Sequence, residues 1–553
     1  MAIQAVVESV VDDKASYDEK LGEVTLTSSP VSSDAGEPLV ERLNDNPFLD
    51  PKVEAYYRGV YEEAQYECRH VLDAQLQWTE KEERRLRWKL DWHVTTWACF
   101  MFFALQIDRT NLGNALSDNF LKDLNMTTDN LNTGNTIFYL SFLCAEIPSQ
   151  LISKKVGPDR WIPAQMVIWS IVAASQAGLN GKGSFYATRF LLGILQGGFI
   201  PDLILWLSYF YKSGELAIRL SWFWVAEGFT SVVTALAAYG ILHIHAAGWA
   251  PWRWLFLIEG LFTLIVGIAA FFLMPASIVQ TKAWFRPKGW FTDRQISIAV
   301  NRVLRDDPTK GDMHNRMGIT PKALWKTVTD YDMWPIYLIG ILVYIGIDTP
   351  SIYLTLSLRE VGFSTFNTNL LTIPSTIAGC FTLLAITWFS VRINERALVS
   401  SIMCIWIMPC LIALRWWSGT SVNAWGTFAI INVLLSYPYC HAIVVAWASR
   451  NSGSVRTRSV SAAAYNMCVQ AGNIIASNIY RTSDAPKYHK GNDILIALNF
   501  ASIALFVLTK YYYKRKNTLR ERKWAAMTPE ERETYLNETK DEGNKRLDFR
   551  FAH

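Results

Sequence analysis

Charge is scarce in this chain. Only 18% of its 553 residues are Asp, Glu, Lys or Arg, against roughly a quarter in soluble globular proteins, which argues against a soluble enzyme. A formal net charge of +4 is too small to mark a nucleic-acid partner. Cysteine supplies no framework either: Cys68, Cys99, Cys144, Cys380, Cys404, Cys410, Cys440 and Cys468 stand singly, so neither a disulfide scaffold nor a zinc site is expected. The first 25 residues carry Glu8, Asp12, Asp13, Asp18 and Glu19 and lack an apolar run flanked by basic residues. A cleavable signal peptide is therefore not expected, and the N-terminus is placed in the cytoplasm. No nucleophile–base pair, metal cluster or phosphate loop is recognisable, so no enzyme activity and no cofactor are expected.

What is present is apolar: 51% of the residues are hydrophobic, with 23 Trp, 23 Tyr and 28 Phe. The charges are also segregated. Residues 1–89 hold 30 of them, residues 275–330 hold 15 and residues 513–553 hold 19, which leaves 38 for the remaining 367 residues. Those 367 have a bilayer composition, and amphipathic rings collect at bilayer interfaces. Runs long enough to cross the hydrocarbon core recur at 92–111, 132–152, 161–179, 186–207, 220–242 and 253–273, and again at 333–355, 366–389, 397–414, 425–447, 459–479 and 492–512. The spacing predicts an all-α membrane protein of twelve transmembrane helices in two six-helix halves. Its parts are an N-terminal segment 1–88, the halves 89–274 and 331–512, a central loop 275–330 and a tail 513–553. Residues 1–45 read as disordered. From Pro51 to Leu90, Tyr56, Val60, Ala64, Cys68 and Val71 are spaced for an amphipathic lead-in helix.

Lys and Arg favour the cytoplasmic side of short loops. With the N-terminus inside, the inner loops receive Lys154, Lys155 and Arg160, then Lys212 and Arg219, ten basic residues in 275–330, Arg392 and Arg396, and Arg450, Arg456 and Arg458. Both termini then face the cytoplasm and the sequon at Asn125 faces outward. Two similar halves joined by a hydrophilic loop is the layout of secondary transporters, whose substrate site lies between the halves.

An ionisable side chain inside a span is by default a functional hypothesis. The candidates are Asp108, Arg109, Glu146, Arg189, Asp202, Glu227, Glu259, Asp348 and His441. Counting about 1.5 Å per residue along each helix brings Asp108, Arg109 and Arg189 to one depth in the outer half of the bilayer. Structural readings stand beside these. Arg109 and Arg189 can snorkel, Asp202 can cap or gate, Glu259 can pair with Arg253, and His441 can be a hydrogen-bonded bundle residue. Arg189, Gly193 and Gly197 follow R-x-x-x-G-x-x-x-G, a spacing that allows two helices to approach closely.

Six segments carry a resemblance to the major facilitator superfamily, and within it to the fungal allantoate permease type of the anion:cation symporter family. They are Ile107-Asp108-Arg109-Thr110-Asn111, Ala145-Glu146-Ile147-Pro148-Ser149, Gly157-Pro158-Asp159-Arg160-Trp161, Arg189-Phe190-Leu191-Leu192-Gly193, Trp252-Arg253-Trp254-Leu255-Phe256 and Asp484-Ala485-Pro486-Lys487-Tyr488. The resemblance covers about residues 79–512. It implies proton-coupled uptake of a small organic anion by a plasma-membrane monomer. Arg109, Arg189 and Gln196 are the substrate-binding set, and Asp108, Glu146 and Glu227 are the proton-coupling candidates. The loop residues Asp159 and Arg160, with Arg392 and Arg396 in the other half, are expected to form a charge latch. Many relatives of this type carry Glu at the place of Gln196, which cannot titrate, so the proton must use another acid. A metabolite exporter and a non-transporting nutrient sensor are the alternatives.

Overall fold

A computed structural model describes residues 46–539, except 64–65, 247, 307, 309–324, 326–328, 361, 421, 453–454 and 486, together with 543–547 and 549–553. The expected disorder over 1–45 lies outside these residues.

Among the described residues the regular elements are helices, with one isolated bridge between Ala283 and Arg286. Two short helices, α1 (Pro51–Glu63) and α2 (Glu80–Leu90), lead into the bundle. The first half comprises α3 (Thr96–Ala115), α4 (Thr128–Val156), α5 (Pro158–Ser175), α6 (Lys182–Gln196) continued by α7 (Phe199–Ser208), α8 (Ser213–Ile241) and α9 (Pro251–Leu273). An amphipathic helix, α10 (Asp293–Asp306), lies in the central loop. The second half begins with the segmented α11 (Trp334–Leu342), α12 (Ile345–Ile352) and α13 (Leu354–Glu360), followed by α14 (Thr365–Leu370) and α15 (Ile373–Ile393). It closes with α16 (Ala397–Trp416), the pair α17 (Ala424–Leu435) and α18 (His441–Asn451), α19 (Val455–Ala476) and α20 (His489–Ala526), and α21 (Pro529–Glu538) lies in the tail. Each of the twelve apolar runs is thus occupied by a helix or an interrupted helix. Six of them, Lys182–Ser208, Pro251–Leu273, Trp334–Ile352, Asn367–Ser390, Ala397–Trp416 and His489–Ala526, are long and apolar enough to cross a bilayer on composition alone.

Local chemistry explains the boundaries. Thr79 and Glu82 form a capping box at α2, and Thr127 and Asn130 do the same for α4. Gly157 takes φ 99°, ending α4, and Pro158 starts α5 where its missing N–H costs nothing. Between α17 and α18 the segment Ser436–Cys440 contains Pro438, and the Thr382 hydroxyl bonds the freed carbonyls of Ser436 and Tyr437 at 3.0 and 2.9 Å. A helix can be broken at membrane depth only when such groups are satisfied.

The R-x-x-x-G-x-x-x-G seam closes as its spacing requires. A Cβ at Gly193 would stand 2.5 Å from Phe138 O, and one at Gly197 2.5 Å from Phe142 O, so α6 lies directly on the α4 backbone. Within the first half α9 packs on α5 and α3, and α8 on α3; in the second, α16 packs on α20 and α11 on α19. The halves meet along α4–α19 and along α8 with α14 and α15.

The two faces of the bundle differ. At the linker face, where α2, α10 and the tail gather, the lead-in does not form one helix to Leu90. The chain is non-helical at Tyr66, and Tyr66, Cys68, Leu72 and Trp78 join a core with Ile296, Val300 and Leu304 of α10. Arg305 fixes that segment by donating to the carbonyls of Asp73, Ala74 and Leu76. At the opposite face the halves are tied together. Asn132 donates to Tyr480 O (2.7 Å) and accepts from Tyr353, Asn478 donates to Thr136 (2.6 Å), Thr355 to Gly113 O (2.6 Å), and Asn369 to Ser117 (2.8 Å).

Candidate functional site

Between the halves lies a cavity of about 400 Å³, within the range of small-molecule sites. Asp108, Arg109, Asn135, Tyr139, Arg189 and Gln196 line its wall on the first half. The second half supplies Ser351, Thr355, Thr372, Thr376, Gln470 and Asn473. One wall is therefore charged and the other is polar but neutral.

The charged wall follows from helix geometry. Asp108 and Arg109 come from the second half of α3, and Arg189 from the middle of α6, which runs in the opposite direction. Arg189 is buried, packs its guanidinium 5.7 Å from both the Phe138 and Phe185 rings, and donates from Nη2 to Gln176 Oε1 at 2.7 Å. Arg109 lies 5.1 Å from the Phe142 ring, with Glu227 of α8 as its electrostatic partner. Among the described residues neither guanidinium has a carboxylate within 4 Å, and both Nε atoms lack a hydrogen-bond acceptor. Buried cations are normally paired. Arg189, buried and held by a neutral amide and aromatic faces, and Arg109, half-buried against the Phe142 ring, leave positive potential on the cavity wall. Asp108 accepts from Trp169 Nε1 at 2.9 Å through Oδ2. Gln196 is buried with Oε1 unpartnered.

The other expected residues fall elsewhere. Glu146 is buried beside Asp202, whose Oδ2 accepts from Ser149 at 3.0 Å; neither acid lines the cavity. Glu227 turns to Arg109, and its neighbour Gly228 meets Cys380 of α15. Asp159 pairs with its own neighbour Arg160 at 4.0 Å, Arg392 is exposed, and Arg396 bonds Asn394 and, through its backbone N–H, the carbonyl of His553. Glu259 does not pair with Arg253, which instead donates to Ala177 O and Leu179 O at 2.5 and 3.0 Å. His441 sits in a ring cluster with Tyr344, Tyr439 and Tyr465, each 5.6 Å away.

Sequence reasoning missed Trp169, Gln176 and the neutral wall. Gln470 and Asn473 carried a usable signal, since two amides three residues apart share one face of α19. Trp169 and Gln176 carried none, because a buried Trp and a helix-end Gln are ordinary.

Two helical halves clasping a polar cavity inside an apolar bundle define a multi-pass membrane transporter. The pattern of the Major Facilitator Superfamily matches residues 98–477, and the chain belongs to that family. It is 41% identical over 534 residues to the uncharacterized Saccharomyces cerevisiae transporter YIL166C, covering 96% of this chain and 97% of that one. Among solved structures it is similar to the partially occluded inward-open xylose transporter XylE of E. coli, with a TM-score of 0.55 at 12% identity, over 74% of this chain and 96% of that one. A bacterial homologue of the human lysosomal transporter Spinster, inward-facing and occupied, gives 0.55 at 13%, over 76% and 96%. At such identities the two structures speak to the fold alone.

Proposed function

We propose that the protein is a proton-coupled importer of a small organic anion, of the carboxylate, ureido acid, vitamin or sulfonate type. The observation that carries this reading is the pair of guanidiniums on the cavity wall, buried Arg189 and half-buried Arg109, with no carboxylate within ion-pair distance among the described residues. A planar guanidinium binds a carboxylate or sulfonate through two parallel hydrogen bonds. The neutral wall of Ser351, Thr355, Thr372, Thr376, Gln470 and Asn473 then hydrogen-bonds the body of the substrate.

In this reading the basic loops put the linker face and both termini in the cytoplasm, and the family resemblance supports a plasma-membrane monomer. In that orientation the hydrogen bonds around Asn132 tie the halves together on the outer side, which supports reading the arrangement as inward-facing. Opening outward requires those bonds to break while the linker face closes, the step in which Asp159 and Arg160 would meet the second half near Arg392 and Arg396. Asp108 carries the proton: it gains one when a substrate anion takes Arg189 away from it and loses it when the anion leaves. Glu227, beside Arg109, and Glu146 are the other acids available.

The test is proton-driven uptake and counterflow in liposomes, with a radiolabelled panel of a ureido acid, a pyridine carboxylate, a dipeptide and an alkyl sulfonate. Accumulation of a panel member driven by an inward proton gradient supports the reading. Transport of none, or outward-only transport, overturns it. N-glycosylation at Asn125, with a C-terminal tag inaccessible in intact cells, is the expected topology.

A further inference from the structure

We propose that Glu259 is a second proton-binding carboxyl, converging on Asp108 at the seam of α3 and α9 and supplying in α9 the acid that α6 lacks at Gln196. This inference rests on the proton-coupled reading above.

The register of the two helices carries the geometry. Phe262 lies 6.0 Å from Phe100 and 6.2 Å from Phe103, which sets the level at which α9 crosses α3 in the opposite direction. Counting about 1.5 Å per residue from that level toward the opposite face, Asp108 and Glu259 come within about one helical turn of the same height. Cα–Cβ bonds tilt toward the N-terminus of their own helix. Asp108 therefore leans toward the linker face and Glu259 toward the opposite face, so the two carboxyls approach each other. Thr263, one turn along the same face of α9, is fully buried and donates its hydroxyl to Gly260 O at 3.0 Å, so it does not occupy the Asp108 carboxylate. Gly260 locks the approach: a Cβ there would stand 2.5 Å from Ala174 N, so α9 lies on the α5 backbone with no room to rotate Glu259 outward.

Unpartnered atoms face this seam. Glu259 is 5% exposed and neither of its oxygens has a partner, while Asp108 uses Oδ2 on Trp169 and leaves Oδ1 open. A buried carboxylate without a donor is costly, whereas a carboxylic acid facing a carboxylate shares its proton with it. The charged groups around Glu259 are Asp108 from α3 and, beyond it, Arg189 from α6. The ionisable residues of α5, Asp159 and Arg160, stand at its linker-face start. From α8, Glu227 is turned to Arg109.

One guanidinium cannot balance two carboxylates, so the pair keeps one proton while Arg189 faces Asp108. When an anion occupies Arg189, a second proton enters through Asp108, which lines the cavity as Glu259 does not. When the anion leaves, one O–H bond breaks, one proton returns to the cavity and the pair is again singly protonated. One proton moves per anion, and Glu259 sets the affinity of Asp108 for it.

Infrared spectroscopy of the full-length protein in lipid, without any substrate, tests the pair directly. At neutral pH the carbonyl band of protonated carboxylic acids should lose one group's intensity in Glu259→Gln, and Asp108→Asn should shift the frequency of the Glu259 contribution. If the Gln variant fails to fold, Glu259→Asp should move the band instead. An unchanged band in the Glu259 variants overturns the inference. In liposomes, with the panel member that the wild type accumulates, Glu259→Gln should lower proton-driven accumulation at least tenfold and flatten its pH profile while counterflow persists. Wild-type accumulation and pH profile in that variant also overturn it. Absence of transport by the wild type defeats the transport reading alone, because the infrared band still decides the shared proton.

Discussion

Removing the guanidinium of Arg302 should release the linker-face cap from the first half. Arg302 is fully buried on α10 and donates to Glu215 at 2.9 Å, to Glu83 at 3.4 Å and to Phe210 O at 3.1 Å. Lys212 contacts Glu83 at 3.2 Å, Arg87 lies 3.8 Å from Glu215, and Trp78 Nε1 donates to Glu83 at 2.9 Å. The cluster thus joins α2, α10 and the start of α8. Deleting one member of a buried ion pair costs about 3–5 kcal/mol. Because Lys212 and Arg87 still face the two acids, Arg302→Met belongs at the lower end, about 3 kcal/mol. At 1.4 kcal/mol per factor of ten, local opening should become about a hundredfold more frequent. The assay is amide hydrogen exchange in detergent-purified protein, read on peptides covering 293–306 and 69–78. Burial raises the Glu83 carboxyl, but the Lys212 ammonium, the Trp78 N–H and Arg302 outweigh it and hold the group below the usual carboxylate range. A depressed carboxylate stabilises the fold above its unfolded value and loses that contribution as pH falls through the folded one. Wild-type protection in these peptides, taken relative to the intrinsic exchange rate at each pH, should therefore fall as pH drops through and below the ordinary range of Glu, and the variant should lose part of that dependence. Equal exchange in the two proteins at neutral pH would refute the assignment of the cluster as the tie between α10 and the bundle.

Arg189→Lys should abolish uptake at normal surface expression, because an ammonium keeps the charge and loses the planar fork; near-wild-type uptake would reduce Arg189 to a packing residue. Gly193→Val should not reach the membrane in folded form, since its Cβ meets a backbone carbonyl of α4 that cannot move aside; size-exclusion of the solubilised protein reports this. Asn132→Ala removes the bonds to Tyr480 and Tyr353 at the closed face. At about 1 kcal/mol each, their loss should shift the population toward the outward-open form roughly thirtyfold, read as faster thiol labelling from outside of a cysteine placed at Ser351 on the cavity wall.

The apolar runs alone determined that this chain is a helical membrane protein with two halves, because burying about twenty residues of backbone in hydrocarbon leaves helices as the one local solution available to such sequences. Asp108, Arg109 and Arg189 stood out for the same reason, since a charge in a span is too expensive to be incidental. The glycines of α6 announced a close contact, though not that its partner would be the α4 backbone at Phe138 and Phe142. Tertiary structure decided everything that depends on which helices are neighbours. It gave Arg189 a neutral amide, Gln176, where a carboxylate was conceivable, and turned Glu227 toward Arg109. It left Glu259 facing Asp108 and sent Arg253 to backbone carbonyls. It also interrupted the lead-in at Tyr66 and made a helix of residues 293–306 inside a stretch that reads only as hydrophilic. Helical periodicity fixes the face on which a side chain stands, but the charge it meets there is set by packing between segments far apart in sequence, and no local pattern encodes that distance.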